Sequence, residues 1–92
     1  MVYIRRVVGR SMLPKIRPGN IVMALKFLRP KVGDVVIVRH DNKELIKRIT
    51  EMRHDGIYVL GDNPQESSDS RQYGWLPVSA VLGVVLGAKA QQ

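Results

Sequence analysis

The run DVVIVRHDNKELIKRI, Asp34 to Ile49, decides the fold class. Its first half is nearly continuous in β-branched residues, Val35 through Val38, which is the mark of a strand buried on both faces. HDNKE then reads as a hairpin turn, and ELIKRITEM returns as a second strand. The same alternation of short β segments and turn signals extends outward in both directions. Downstream, RHDG turns again at Asp55-Gly56, a strong hairpin signal, into IYVLG. Upstream, VYIRRVV is a first strand and IRPGN places Pro18 and Gly19 where a type II turn wants them. IVMALKFL follows and RPKVGD ends it. Near the C-terminus, AVLGVVLGA supplies a last strand. There is no repeat, no low-complexity segment and no helix beyond a turn over Ser11–Ile16. Closely spaced short strands predict a mostly β protein, a small coiled and largely antiparallel sheet or barrel, with residues 1–92 as one domain.

Ninety-two residues suffice for a single core. Fifteen Lys and Arg against eight Asp and Glu give a net charge of +7, which brings nucleic acid or an anionic surface into consideration. The charges are scattered, however, without the dense block of a basic arm. Cysteine is absent, so disulfides and thiolate metal sites are excluded. His40 and His54 both fall in turns, too few ligands for a metal site, and no cofactor is implied. The longest apolar segment, Val78 to Ala88, is far short of the roughly 20 residues that span a bilayer. The opening MVYIRRVVGR carries charge where a signal peptide needs an apolar region. These features predict a soluble, cytoplasmic protein, unless the chain has been trimmed of a membrane anchor.

Three segments depart from the β grammar. In GRSMLP, Ser11 sits between a strand and a turn, a place that can expose a hydroxyl and leave backbone N–H groups free for an oxyanion. Alone, Ser11 reads more simply as a turn serine. In ELIKRI, alternation puts Leu45, Lys47 and Ile49 on one strand face and Ile46 and Arg48 on the other. Desolvation between large aliphatics, with Arg48 adjacent, would lower the lysine pKa towards neutrality and make it a candidate base. Alone, an edge-strand lysine that snorkels to water explains it as well. The third segment is GDNPQESSDSRQYG, Gly61 to Gly74. Its Asp62, Asn63, Ser67, Ser68, Asp69, Ser70 and Arg71 can bond to one another, and the Asp69–Arg71 spacing allows a local ion pair. A polar loop of this length is either functional or disordered.

In this order the segments resemble one family, the type I signal peptidases and their relatives, which are serine proteases with a Ser-Lys dyad. SMLP is similar to the family's Ser-Met-x-Pro nucleophile motif, and VGDVVIV to its Gly-Asp strand. LIKRI is similar to its lysine box, and GDNPQESSDSRQYG to its Gly-Asp-Asn…Ser-x-Asp-Ser-Arg box. The likeness runs from Val7 to Pro77. It implies Ser11 as nucleophile, Lys47 as general base, Ser67 as the hydroxyl that orients the amine, and Asp69 with Arg71 as the ion pair supporting the loop. It also implies the Ser11 N–H as one oxyanion donor and Val7, Met12, Ile16, Leu45 and Ile46 as lining of the substrate pockets. Gly9 stands where many relatives carry a second oxyanion serine, so that donor is unassigned. Lys15 and Asn20 depart from the usual Thr and Asp.

Larger members carry an N-terminal anchor and an inserted β domain where this chain has only TEMRHDGIYVL. Among family branches, the chain most resembles the small soluble proteases that mature nickel-type superoxide dismutase. That likeness implies a precursor protein with an N-terminal extension as partner. A signal peptidase core that cleaves signal peptides is the alternative, with peripheral membrane contact left open at Trp75 and Leu76. Two readings carry less weight. A basic β barrel could bind nucleic acid through scattered Arg and Lys and through Tyr3, Tyr58, Tyr73 or Trp75, but no strand is rich in aromatics and no nucleic acid is expected. A self-cleaving repressor would need a cleavable segment that the sequence does not display.

Overall fold

In a computed structural model, which describes residues 1–87, the chain forms one seven-stranded antiparallel sheet. The strands are β1 (Val2–Arg6), β2 (Ile21–Leu25), β3 (Val35–His40), β4 (Lys43–Met52), β5 (Gly56–Leu60), β6 (Leu76–Pro77) and β7 (Val81–Val85). Their spatial order is β1-β2-β7-β3-β4-β5-β6. The predicted mostly β, antiparallel architecture is therefore observed. The predicted last strand is shorter than AVLGVVLGA, and its end at Ala88 lies outside the described residues.

β3 occupies the centre of the sheet because its side chains are apolar on both faces. Val35 and Ile37 pack into one cluster with Val7, Met12, Ile16 and Val22. Val36 and Val38 pack into a second with Ile49, Ile57, Val59 and Leu76. All four β3 valine and isoleucine side chains are at most 1% exposed. A small chain obtains two-sided burial by coiling its sheet, so that the ends of one sheet cover both faces of its middle.

The turns follow their local chemistry. Gly19 takes φ of +92° after Pro18, the left-handed position that a type II turn needs at its third residue. In the β3–β4 hairpin Asp41 and Asn42 both have positive φ, 55° and 64°. These residue types tolerate the left-handed region best after glycine. At the β4–β5 turn the hairpin is present, but Gly56 itself lies in β5. A side chain there would meet the Trp75 ring at 3.4 Å.

One expectation is corrected. The polar loop contains a short helix, α1 (Ser70–Tyr73), preceded by a 3-10 turn at Pro64–Glu66. Asp69 is its N-cap, and the Asp69 side chain and Gln72 side chain form a reciprocal capping box. The capping sequence D-S-R-Q was readable in principle. The helix is too short for apolar periodicity to reveal it.

Candidate active site

β1 is an outer strand of the sheet. β4 pairs with β3 from Lys43 to Arg48 but with β5 only from Arg48 onward. The stretch Lys43–Lys47 thus presents one edge without a partner strand among the described residues. A groove of about 180 Å3 lies between this edge and the end of β1, and its walls include Val7, Ser11, Met12, Leu45, Ile46 and Lys47.

Lys47 is 3% exposed. Burial pushes the pKa of its amine below the ordinary lysine value; the charge of Asp69 opposes that shift and the charge of Arg71 reinforces it. Desolvation disfavours the cation, which makes a neutral amine accessible at lower pH. The Lys47 Nζ donates to Ser67 Oγ at 3.1 Å, and the Ser67 hydroxyl donates to Asp69 Oδ2 at 2.9 Å. Because the single Ser67 proton is committed to Asp69, Ser67 acts only as acceptor towards the lysine. A neutral Lys47 therefore spends an N–H on Ser67 and keeps its lone pair for another proton. The two cross-strand partners Val36 and Val38, opposite Lys47 and Leu45, place both β4 residues on one face, as alternation predicts.

Ser11 lies in the turn that follows β1. Two bonds tie this turn to the polar loop. The Asn63 N–H donates to the Ser11 carbonyl at 2.7 Å, and Asn63 Nδ2 donates to the Arg10 carbonyl at 3.0 Å. Met12, 2% exposed, anchors the same turn in the core beside Val7 and Ile16. The Ser11 N–H has no hydrogen-bond partner among the described residues, as an oxyanion donor requires.

Asp69 organises the loop. It is fully buried and accepts from Arg71 Nε at 2.9 Å, Arg71 Nη2 at 2.6 Å and the Gly61 N–H at 2.9 Å. Burial alone would raise its pKa. The Arg71 guanidinium, the N–H groups of Gly61 and Arg71 and the Ser67 hydroxyl outweigh that effect and hold the carboxyl far below the usual carboxylate range. Ser70 Oγ accepts from the Val59 N–H at 2.9 Å, fastening the helix to β5. The polar loop is thus folded against Lys47 through Ser67 and Asp69.

Sequence reading missed a second clamp. Arg48 donates to both Asp62 oxygens, at 2.9 and 2.8 Å, and to the Gly33 carbonyl at 2.8 Å. No local signal pairs these two residues, which are 14 positions apart, and Arg48 is not among the residues that line the groove. Of the predicted pocket residues, Val7, Met12, Leu45 and Ile46 line the groove. Ile16 does not; it is 7% exposed and belongs to the core beneath. His40 stacks on Tyr73 with ring centroids 4.2 Å apart. Trp75 packs against Tyr58 at 5.3 Å and beneath Arg53 at 4.0 Å.

No described helix is long and apolar enough to cross a membrane, and the described residues hold no cluster of three or more metal-ligating side chains. The family model described as peptidase S24-like matches residues 1–78. No curated protein matches the chain.

Proposed function

The chain belongs to the peptidase S24-like family, and on that premise we propose that it is a Ser11–Lys47 serine endopeptidase that removes an N-terminal extension from a precursor protein. The observation that carries this reading is the placement of Lys47: buried, bonded to Ser67, and bordering the same groove as Ser11.

A peptide entering the groove as an added strand would meet the unpaired edges of β1 and β4 and gain backbone hydrogen bonds from them. Small apolar side chains would fit against Val7, Met12, Leu45 and Ile46. Neutral Lys47 takes the Ser11 proton as Oγ attacks the scissile carbonyl, and the resulting oxyanion accepts from the Ser11 N–H. The tetrahedral species collapses as the C–N bond breaks, and Lys47 returns its proton to the leaving amine. Water, deprotonated by the same lysine, then attacks the acyl-enzyme and regenerates Ser11. Ser67 holds the amine, while Asp69 and Arg71 hold Ser67.

Sequence likeness to the maturation branch makes the nickel superoxide dismutase precursor the first substrate to try. Purified protein mixed with that precursor should shorten it from the N-terminus, and Ser11→Ala and Lys47→Ala should each abolish the change while remaining folded. Cleavage that survives either substitution rejects the dyad. An unchanged precursor, with Ser11-dependent cleavage of a signal-peptide substrate, moves the assignment to a signal peptidase core. Shortening of the protein incubated alone identifies self-cleavage.

A further inference from the structure

An ion pair joins the two strands that line the groove. Arg5, on β1, donates from Nε to Glu44 Oε1 at 2.6 Å and from Nη2 to Oε2 at 3.0 Å, and Glu44 is on β4. This ion pair spans the two strands that form the walls, and both residues line the groove. Each partner is further restrained: Arg5 Nη1 donates to the Ile4 carbonyl at 3.1 Å, and Arg39 Nη2 reaches Glu44 Oε2 at 3.4 Å. Two parallel N–H···O bonds fix the orientation of such a pair far better than a single contact does. The Arg5 guanidinium also lies 5.2 Å from the Tyr3 ring centroid, a further hold on its position.

We propose that the Arg5–Glu44 pair is a clasp across the peptide slot, which limits substrate recognition on that side to about three residues from the scissile bond. The length follows from strand geometry. Glu44 precedes Lys47 by three positions on β4, roughly 10 Å at about 3.3 Å per residue. A peptide paired to the β4 edge advances at the same rise, so its third residue from the base reaches the clasp. A fourth residue has no slot to enter unless the pair opens. The clasp also sets the chemistry of that position. Arg5 and Glu44 are committed to each other, so a charged substrate side chain binds there only by displacing a bidentate bond. The enzyme therefore reads a short extended segment that ends in an uncharged residue.

This inference rests on the peptidase reading, and its test separates the two. Nested Ala/Ser peptides, extended one residue at a time on either side of a single cleavable bond, are digested and followed by mass spectrometry. For the wild-type protein, kcat/KM should rise up to the third residue on one side and change less than twofold for the fourth and fifth. In Glu44→Ala and Arg5→Ala, the fourth residue should raise kcat/KM at least fivefold. An acidic residue at the third or fourth position should be favoured in Glu44→Ala, where Arg5 is unpaired, and disfavoured in Arg5→Ala. The exchanged double variant Arg5→Glu/Glu44→Arg should restore the plateau, which separates a clasp from damage to the fold. Ser11-dependent cleavage that keeps improving past the third residue on both sides overturns the clasp alone. Absence of any Ser11-dependent cleavage overturns the peptidase reading and the clasp with it.

Discussion

Gly61 leaves no room for a side chain between itself and Ser67: a Cβ built there would stand 2.6 Å from the Ser67 Cβ and 2.8 Å from the Ser11 carbonyl oxygen. Neither neighbour can yield freely, because the Ser11 carbonyl accepts from Asn63 and Ser67 is bonded to both Lys47 and Asp69. One methyl group at this position therefore presses on the Ser11 turn and on the hydroxyl bonded to Lys47. Gly61→Ala should cost about 1–3 kcal/mol of stability, in the range of overpacked core sites. It should lower kcat more than that loss explains. Denaturant melts and steady-state kinetics on the same preparation check both, and an unaffected kcat rejects the tight coupling.

Asp69 supports the loop through charge as well as shape. Its carboxylate is buried and collects bonds from Arg71, Gly61 and Ser67. Asp69→Asn puts an amide donor where only acceptors fit. Removing one partner of a buried pair costs about 3–5 kcal/mol. Arg71 is 38% exposed and can turn to water, so about 2–3 kcal/mol is expected here. The pH dependence gives the second readout. A carboxyl with a depressed folded-state pKa contributes stability that is fully present above its unfolded value, near pH 4, and is lost as pH falls towards the folded value. Wild-type stability should decline through that acid window, and the Asn variant should show a shallower slope.

Much of this architecture is legible before any coordinates, and the reasons are local. Val35–Val38 announces a doubly buried strand because four β-branched residues in succession satisfy both faces of a sheet. The Pro18-Gly19 and Asp41-Asn42 turns are fixed by backbone preference. Lys47 is conspicuous because a cation among Leu45, Ile46 and Ile49 contradicts its surroundings. Long-range pairing is what stays hidden. Nothing in the sequence says that Arg48 reaches Asp62, that Arg5 reaches Glu44 across 39 positions, or that Ile16 belongs to the core rather than the groove. Those facts depend on how the sheet coils, which pattern and propensity do not encode.

The Arg48–Asp62 clamp joins the lysine strand to the start of the polar loop. Both side chains are largely buried, 14% and 19% exposed, and Arg48 also bonds the Gly33 carbonyl. Asp62→Ala leaves the guanidinium with one of its anchors gone. A loss of about 1–3 kcal/mol is expected, as for a hydrogen-bonded charge deprived of its partner. Because neither Arg48 nor Asp62 lines the groove, kcat at saturating substrate should fall less than it does for Ser67→Ala. Hydrogen exchange should quicken at Gly61–Asn63 and leave β3 protected. A larger kcat defect than that of Ser67→Ala would show that Asp62 acts on the dyad itself.

On the proposed mechanism, Lys47 ties stability and activity to the same proton. Its folded-state pKa is lowered by burial, while an unfolded lysine titrates near 10.4. Between those values the unfolded chain binds the proton and the folded chain does not, so stability rises with pH across that window and is lowest beneath it. Lys47→Met retains the packing and removes the ionisation; it should flatten this slope and stabilise the protein below the folded pKa. Activity moves in the same direction, since only the neutral amine can accept the Ser11 proton. The acid limb of kcat/KM should rise with an apparent pKa below 10.4. Arg71 contributes to the lowering and Asp69 opposes it, so Arg71→Gln leaves the opposing charge unbalanced. Its acid limb should shift to higher pH, a displacement that loosening of the loop alone would not produce. A pH–rate profile of the wild-type protein that rises only near pH 10 would remove Lys47 from the role of base.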